Sequence, residues 1–183
     1  SPIYGILFDG AWLWEEYLWT ILKDVKFGDK KFEHPTNKDR KGGIRLFDNS
    51  LDPEDSSVRN CYRRIYPDFY RENTKPENED FLKNDGVILD AKYKQLDKGL
   101  VRDDLYQIIS YMHTMKIPTG GFVYPQKEKE ELAEQNPKKY YLANNTGIIK
   151  TFGFVVPQCE TDYEPFQKKM QKAEKELVRE ILS

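Results

Sequence analysis

An aspartate and a lysine, Asp90 and Lys92, close the apolar part of the run GVILDAKYK (86–94). In an extended strand, residues i and i+2 share a face. Val87, Leu89, Ala91 and Tyr93 therefore point one way, and Ile88, Asp90, Lys92 and Lys94 the other. The first set is a packing face. The second begins apolar and then delivers a carboxylate beside an amine. A second carboxylate, Asp68, follows Pro67 in RRIYPDFY (63–70). Proline donates no ladder hydrogen bond, so Pro67 belongs at a sheet edge or a bulge. A bulge there would aim Asp68 across a hairpin at Asp90. Two such carboxylates supply hard oxygen ligands of the kind that suit Mg²⁺, which keeps several of its waters. An ion held between carboxylates and a phosphate orients a water, lowers its pKa and stabilises the charge of displacement. Lys92 beside it would position the attacking hydroxide or offset charge in the transition state.

Two helices are expected to complete this set. In the first, Trp12, Glu15, Trp19 and Leu22 fall on one row, which places Glu15 among apolar neighbours. A carboxylate there is costly unless paired or metal-bound, whereas Glu16 aligns with Thr20 and Lys23 on a wet face. Glu15 is thus preferred as a site residue. In the second helix, Gln107 and Tyr111 are four apart and outside the apolar stripe, free to bond a phosphate or to hold the lysine. Asp68 alone reads as a turn aspartate, and an Asp-x-Lys pair on a strand is often a surface ion pair of little energetic value. The combination favours a site. Of the basic residues, Lys41, Arg63, Arg64 and Lys94 are candidates for phosphate contact, with a solvated surface the equally ordinary reading for each singly. His34 and His113 are weak signals, and His113 reads as a boundary residue of its helix. Two histidines in unrelated contexts leave no room for Ser-His-Asp or Cys-His catalysis. Gly42-Gly43 lacks a P-loop lysine, which excludes that mode of nucleotide binding.

The elements that must carry these residues can be read from periodicity. A helix is predicted from Asp9, its cap, to Lys23, with Leu13, Trp14, Tyr17, Leu18, Ile21 and Leu22 at helical spacing. A lysine-rich loop (28–43), a short strand (44–47) and a turn (51–57) follow. The stretch 63–70 is β-prone, 71–85 is a solvated polar hairpin loop, and 86–94 is the clearest strand. A second helix spans 103–116, capped by Asp103 or Asp104, with Leu105, Ile108, Ile109, Met112 and Met115 as its stripe. A strand (120–124), a charged helix or insertion (126–135), a strand (148–156) and a terminal helix (166–182) complete the chain. That order predicts an α/β (α+β) mixed sheet flanked by helices on both faces.

Composition sets the bounds. With 183 residues the expectation is one domain with a real core. Lys and Arg number 29 against 31 Asp and Glu, so no global charge steers the chain to nucleic acid or to a membrane. Aromatics at 14% supply enough burial to argue against full disorder. No run approaches the ~20 apolar residues of a membrane span. Cys61 and Cys159 are too few for a disulfide framework or a zinc cluster. An intracellular chain is expected. It opens on Ser-Pro without Met, as a piece of something longer would.

These residues resemble a PD-(D/E)xK nuclease, and more closely the nuclease domain of McrC-type restriction subunits. ILFDGAWLWEEYL resembles the opening Phe-Asp…Leu-Phe-Glu-x-Tyr segment of that family, with Trp14 in place of Phe and Glu15 as the matched glutamate. RRIYPDFY resembles its Arg-Pro-Asp strand. GVILDAKYK and DDLYQIISYM resemble its Leu-Asp-Ala-Lys-Tyr-Lys and Asp-x-Tyr-Gln-x-x-x-Tyr signatures. The resemblance spans roughly Ile6 to Met112. It implies a restriction-endonuclease-like fold and Mg²⁺-dependent cleavage of double-stranded DNA, with Mn²⁺ able to substitute. By motif match, Asp68 and Asp90 are metal ligands, Lys92 is the catalytic lysine, Glu15 assists the metal, and Gln107 and Tyr111 support the site. It further implies a McrB-like AAA+ GTPase partner, DNA carrying modified cytosine, and a prokaryotic cytoplasmic setting. The expectation is therefore one nuclease domain, 1–183, cut from a longer chain without its N-terminal partner-binding region. The alternatives are a catalytically silent DNA- or protein-binding scaffold on the same fold, or a related repair or recombination nuclease.

Overall fold

The structure, a computed structural model, describes residues 9–36, 42–47, 63–75, 83–94, 99–127, 138–158 and 162–183. Its framework is a five-stranded mixed sheet in the order β5-β6-β7-β9-β8. The central strands β6 (Val87–Ala91), β7 (Thr119–Lys127) and β9 (Ile148–Val156) run parallel. The edge strands β5 (Phe69–Arg71) and β8 (Lys138–Tyr141) are antiparallel to their neighbours. Strands β1 (Lys26–Phe27) and β2 (Lys30–Lys31) form a small hairpin, and β3 (Ile44–Arg45) pairs with β4 (Arg64–Ile65).

Helices α1 (Gly10–Leu22) and α3 (Tyr163–Leu182) cover one face of the sheet. Trp14, Leu18 and Leu22 of α1, with Leu177 and Ile181 of α3, pack there on Val87, Leu89, Val123 and Phe152. Helix α2 (Arg102–Met115) covers the other face, where Ile108, Tyr111 and Met112 meet Ile88, Phe122 and Ile149. Successive strand residues thus feed opposite cores, as the pleat requires. The expected mixed sheet with helices on both faces is what forms.

Local chemistry explains the boundaries. Asp9 caps α1, its carboxylate accepting from the backbone N–H groups of Ala11 at 3.1 Å and Trp12 at 3.2 Å. The Trp14 indole donates to the Val123 carbonyl at 3.3 Å and ties α1 to β7. Gly120 lets α2 close on the sheet, and Gly121 leaves room for side chains of the neighbouring strands. A Cβ at Gly120 would lie 2.7 Å from Met112 Sδ, and one at Gly121 2.6 Å from the Phe152 ring. Pro125 sits inside β7, but beyond Val123, where the β6 ladder ends and β7 keeps a neighbour on one side only.

Several expectations change. The supposed loop 28–43 contains β2, and Glu33 bridges to Tyr70 beside it. The β-prone stretch 63–70 is two strands broken at Pro67, the first paired with β3 and the second with β6. Arg71 is buried at the start of the supposed solvated loop. Its guanidinium lies 4.5 Å over the Phe27 ring and donates to the Asp85 carbonyl at 2.6 Å. Gln126 and Lys127 extend β7 rather than opening a helix. The turn 51–57, Cys61, Cys159 and residues 128–135 lie outside the described residues.

The closest layer contact gives a stability test. Gly120→Val should cost about 1–3 kcal/mol by forcing α2 off the sheet. Urea denaturation measures this, and an unchanged midpoint would contradict the packing.

Candidate active site

The site begins with strand register. Phe69 pairs with Leu89 and Tyr70 with Ile88, so one step further along the ladder sets Asp68 opposite Asp90. Directly opposed residues share a face. The break at Pro67 frees the Asp68 side chain from the edge, and its Oδ2 accepts the Ala91 N–H at 2.7 Å. Asp90 follows Ile88 on the α2 side of β6, at its carboxyl end, where open α/β sheets place their ligands. It is 6% exposed.

Two carboxyl groups meeting out of water cannot both ionise cheaply. Burial, reinforced by the neighbouring Asp90, pushes Asp68 up to about 8. Burial raises Asp90 as well, against the opposing pull of Lys92. Lys92 Nζ stands 2.8 Å from Asp90 Oδ2 and 2.8 Å from Asp104 Oδ1. Only the Asp104 contact is aligned as a hydrogen bond, and Asp90 Oδ2 stays buried without one. Burial alone would lower the lysine; the paired carboxylates of Asp104 and Asp90 outweigh it and keep the amine cationic.

Glu15 reaches this pair from α1. It is not enclosed in a row with Trp12 and Trp19 as expected. Trp12 is exposed, and the buried stripe is Trp14, Leu18 and Leu22. Glu15 lies at the edge of that stripe, half-buried, facing His34 Nε2 at 3.7 Å. Burial raises its carboxyl group, His34 opposes that rise, and Asp90 adds to it. His34 is therefore a site residue that its sequence context did not reveal. Its Nδ1 lies 2.7 Å from the Asp68 backbone carbonyl; that oxygen can only accept, so Nδ1 carries the proton. The imidazole lies between Trp19 and Phe69, with ring centroids 5.3 and 5.0 Å away. One side chain thus links the strand of Asp68 to the helix of Glu15.

On α2, Gln107 Nε2 donates to Tyr111 Oη at 2.8 Å. Tyr111 is not outside the apolar layer but part of it, and burial raises its phenol further from ionisation. The lysine is held by Asp104 rather than by this pair. Asp103 or Asp104 was expected as the cap, yet Val101 is the N-cap and no side chain caps α2. A sequence signal for it did exist: Asp104, Gln107 and Tyr111 fall at i, i+3 and i+7, on one helix face. Of the phosphate candidates, Arg63, Arg64 and Lys94 are exposed. Arg64 donates from Nη1 to the Gly43 carbonyl, and Lys41 lies outside the described residues.

The donor set fits a hard divalent cation through the strand pair. Asp90 Oδ2 is a buried carboxylate oxygen facing the Lys92 ammonium, and ionisation of Asp68, which burial disfavours, would gain from a nearby cation. Among the described residues, no three His, Cys, Asp or Glu side chains converge as a ready ion shell. Glu15 therefore does not close a cage with Asp68 and Asp90. Mg²⁺ does not demand one, since one or two carboxylates and retained waters suffice.

A mixed sheet flanked by helices, with an acid–lysine cluster at the carboxyl end of a central strand, is a restriction-endonuclease-like fold. The chain belongs to the family described as McrBC 5-methylcytosine restriction system component, whose model matches residues 1–125. No curated protein matches it. Among solved structures it is similar to a chain of the refined half-complex from the tetradecameric assembly of Thermococcus gammatolerans McrB AAA+ hexamers with bound McrC. That likeness has a TM-score of 0.58 and 14% identity, and covers 93% of this chain and 32% of that one. At this identity the likeness concerns the fold, and the present chain spans about a third of that chain's length.

The raised Asp68 sets a pH dependence. Between 3.8 and about 8 the folded chain holds a proton there that the unfolded chain has released. Stability without metal therefore falls as pH rises through that window and levels off above it. Asp68→Asn, which keeps an acceptor for Ala91, should raise the melting temperature in EDTA at pH 8 and have little effect near pH 4. Equal melting temperatures at pH 8 would contradict the strained pair.

Proposed function

We propose that this chain is the cleavage module of a McrBC-like restriction system, a Mg²⁺-dependent endonuclease acting on double-stranded DNA. The observation that carries this reading is Asp68 set opposite the buried Asp90, with Lys92 in contact with Asp90. Asp68 and Asp90 would hold the ion, with Glu15 assisting from α1. The ion's contribution is to polarise the scissile phosphate and to acidify a water. The chain's own residues do the rest. The cationic Lys92 orients the attacking water and offsets charge on the phosphate oxygens. Gln107 and Tyr111 brace the α2 side. His34 fixes the Asp68 backbone relative to Glu15. Lys94, Arg63, Arg64 and Lys41 supply phosphate contacts that position DNA without reading its sequence.

A near-neutral net charge of −2 gives weak unaided affinity for a polyanion. Delivery by a partner accords with that, and the similar solved chain belongs to an assembly of McrB AAA+ hexamers with bound McrC. A McrB-like AAA+ GTPase is thus the proposed motor, and DNA carrying 5-methylcytosine the proposed target, inside a prokaryotic cell. No described helix is long and apolar enough to cross a membrane.

The test is cleavage of methylated duplex DNA with Mg²⁺, GTP and the motor subunit. Asp90→Ala should lower the rate by at least about a hundredfold, the scale set by losing a positioned catalytic group. Undiminished cutting by that variant would contradict the assignment.

A further inference from the structure

We propose that Asp104 is a positioning residue that gives Lys92, in contact with the carboxylates of both Asp90 and Asp104, a second anchor, so that the lysine can yield Asp90 to a divalent cation. The inference rests on the metal reading above and concerns how two positive charges share one carboxylate. Asp90 Oδ2 is the oxygen that faces Lys92 Nζ at 2.8 Å, and it is also the buried acceptor without a hydrogen bond. An ammonium and a divalent ion on the same oxygen would repel each other. The lysine needs a second anchor, and Asp104 Oδ1 provides one at 2.8 Å with hydrogen-bond alignment.

The placement of Asp104 suits that task. It sits in the first turn of α2, whose positive dipole end favours an anion. It is not spent on capping, since Val101 is the N-cap. It belongs to a different element from the β5–β6 hairpin, so its hold on Lys92 does not depend on where the Asp90 carboxylate turns. The lysine is fixed at its other end too. Its backbone N–H donates to the Val123 carbonyl at 2.8 Å, and its ammonium lies 5.8 Å from the Phe122 ring centroid. Once Lys92 is paired with Asp104, the two ionised strand carboxylates match a divalent ion in charge. Without Asp104, Lys92 has only Asp90 to pair with and competes with the cation for it.

A double-mutant cycle on Mn²⁺ affinity tests this with no reference to cleavage. Isothermal titration of the full chain compares wild type, Asp104→Asn, Lys92→Met and the double variant. Asp104→Asn should weaken Mn²⁺ binding by about fivefold or more, as expected for directly contacting groups. Lys92→Met should tighten it, and in that background Asp104→Asn should change nothing further. Asp104→Glu should restore most of the affinity. The inference is overturned if Asp104→Asn has no effect, or if its effect persists undiminished with Lys92→Met, since Asp104 would then act by its charge alone. If Asp104→Asn does not fold, Lys92→Met decides: tighter binding supports the inference, unchanged or weaker binding overturns it. If wild type binds no Mn²⁺, the metal reading itself fails, and the inference with it.

Discussion

Two carboxyl groups brought opposite each other at the end of β6, one of them buried, shape everything around them. When ionised, Asp68 and Asp90 repel, so the fold must force their approach. It does so through the β5–β6 register, which is fixed by Phe69 and Leu89 buried in one core and Ile88 in the other. A shift by one residue would exchange the two faces of β6 and send Asp90 into the core under α1. Pro67 ends the preceding strand, and the Asp68 carboxylate takes the Ala91 N–H in compensation. Gly120 lets α2 sit close on the sheet, and from there Asp104 reaches the lysine. The hydrophobic layers thus hold a charge arrangement that their own chemistry would not favour.

The surrounding groups each moderate that arrangement differently. Lys92 lowers the field on Asp90 but is shared with Asp104. His34 joins the Asp68 backbone to Glu15 while its ring fills space between Trp19 and Phe69. Tyr111 closes the α2 side as both a core residue and a hydrogen-bond acceptor for Gln107. A site built this way would be relieved by a bound cation, as the proposed metal dependence requires. That is the property a metal-dependent phosphodiesterase needs if activity is to follow metal and substrate binding.

Much of this was legible in the sequence, for physical reasons. A strand with one apolar face and an Asp-x-Lys on the other announces both the sheet and its polar end, and Pro-Asp announces the break that aims the second carboxylate. Most of each helix stripe in α1 and α2 follows from spacing, although Leu13, expected in the first, is exposed and Tyr111, expected outside the second, is buried. What the sequence hid are contacts between residues far apart in the chain. Nothing near His34 signals that a two-strand hairpin turns it back under Asp68. Glu15 does lie beside the pair, but not in the expected setting, because the row through Trp12 runs off the end of the packed face. Asp104 was read as a cap since local rules favour that role, and the lysine twelve residues earlier overrides them.

The central claim is that Asp68 and Asp90 together hold one divalent cation, and a crystal structure of the chain soaked in Mn²⁺ tests it most directly. The account predicts a single anomalous peak at about 2.0–2.6 Å from one oxygen of each carboxylate, with Lys92 remaining on Asp104. Carboxylates that keep their metal-free arrangement at saturating Mn²⁺, with no peak between them, would contradict it.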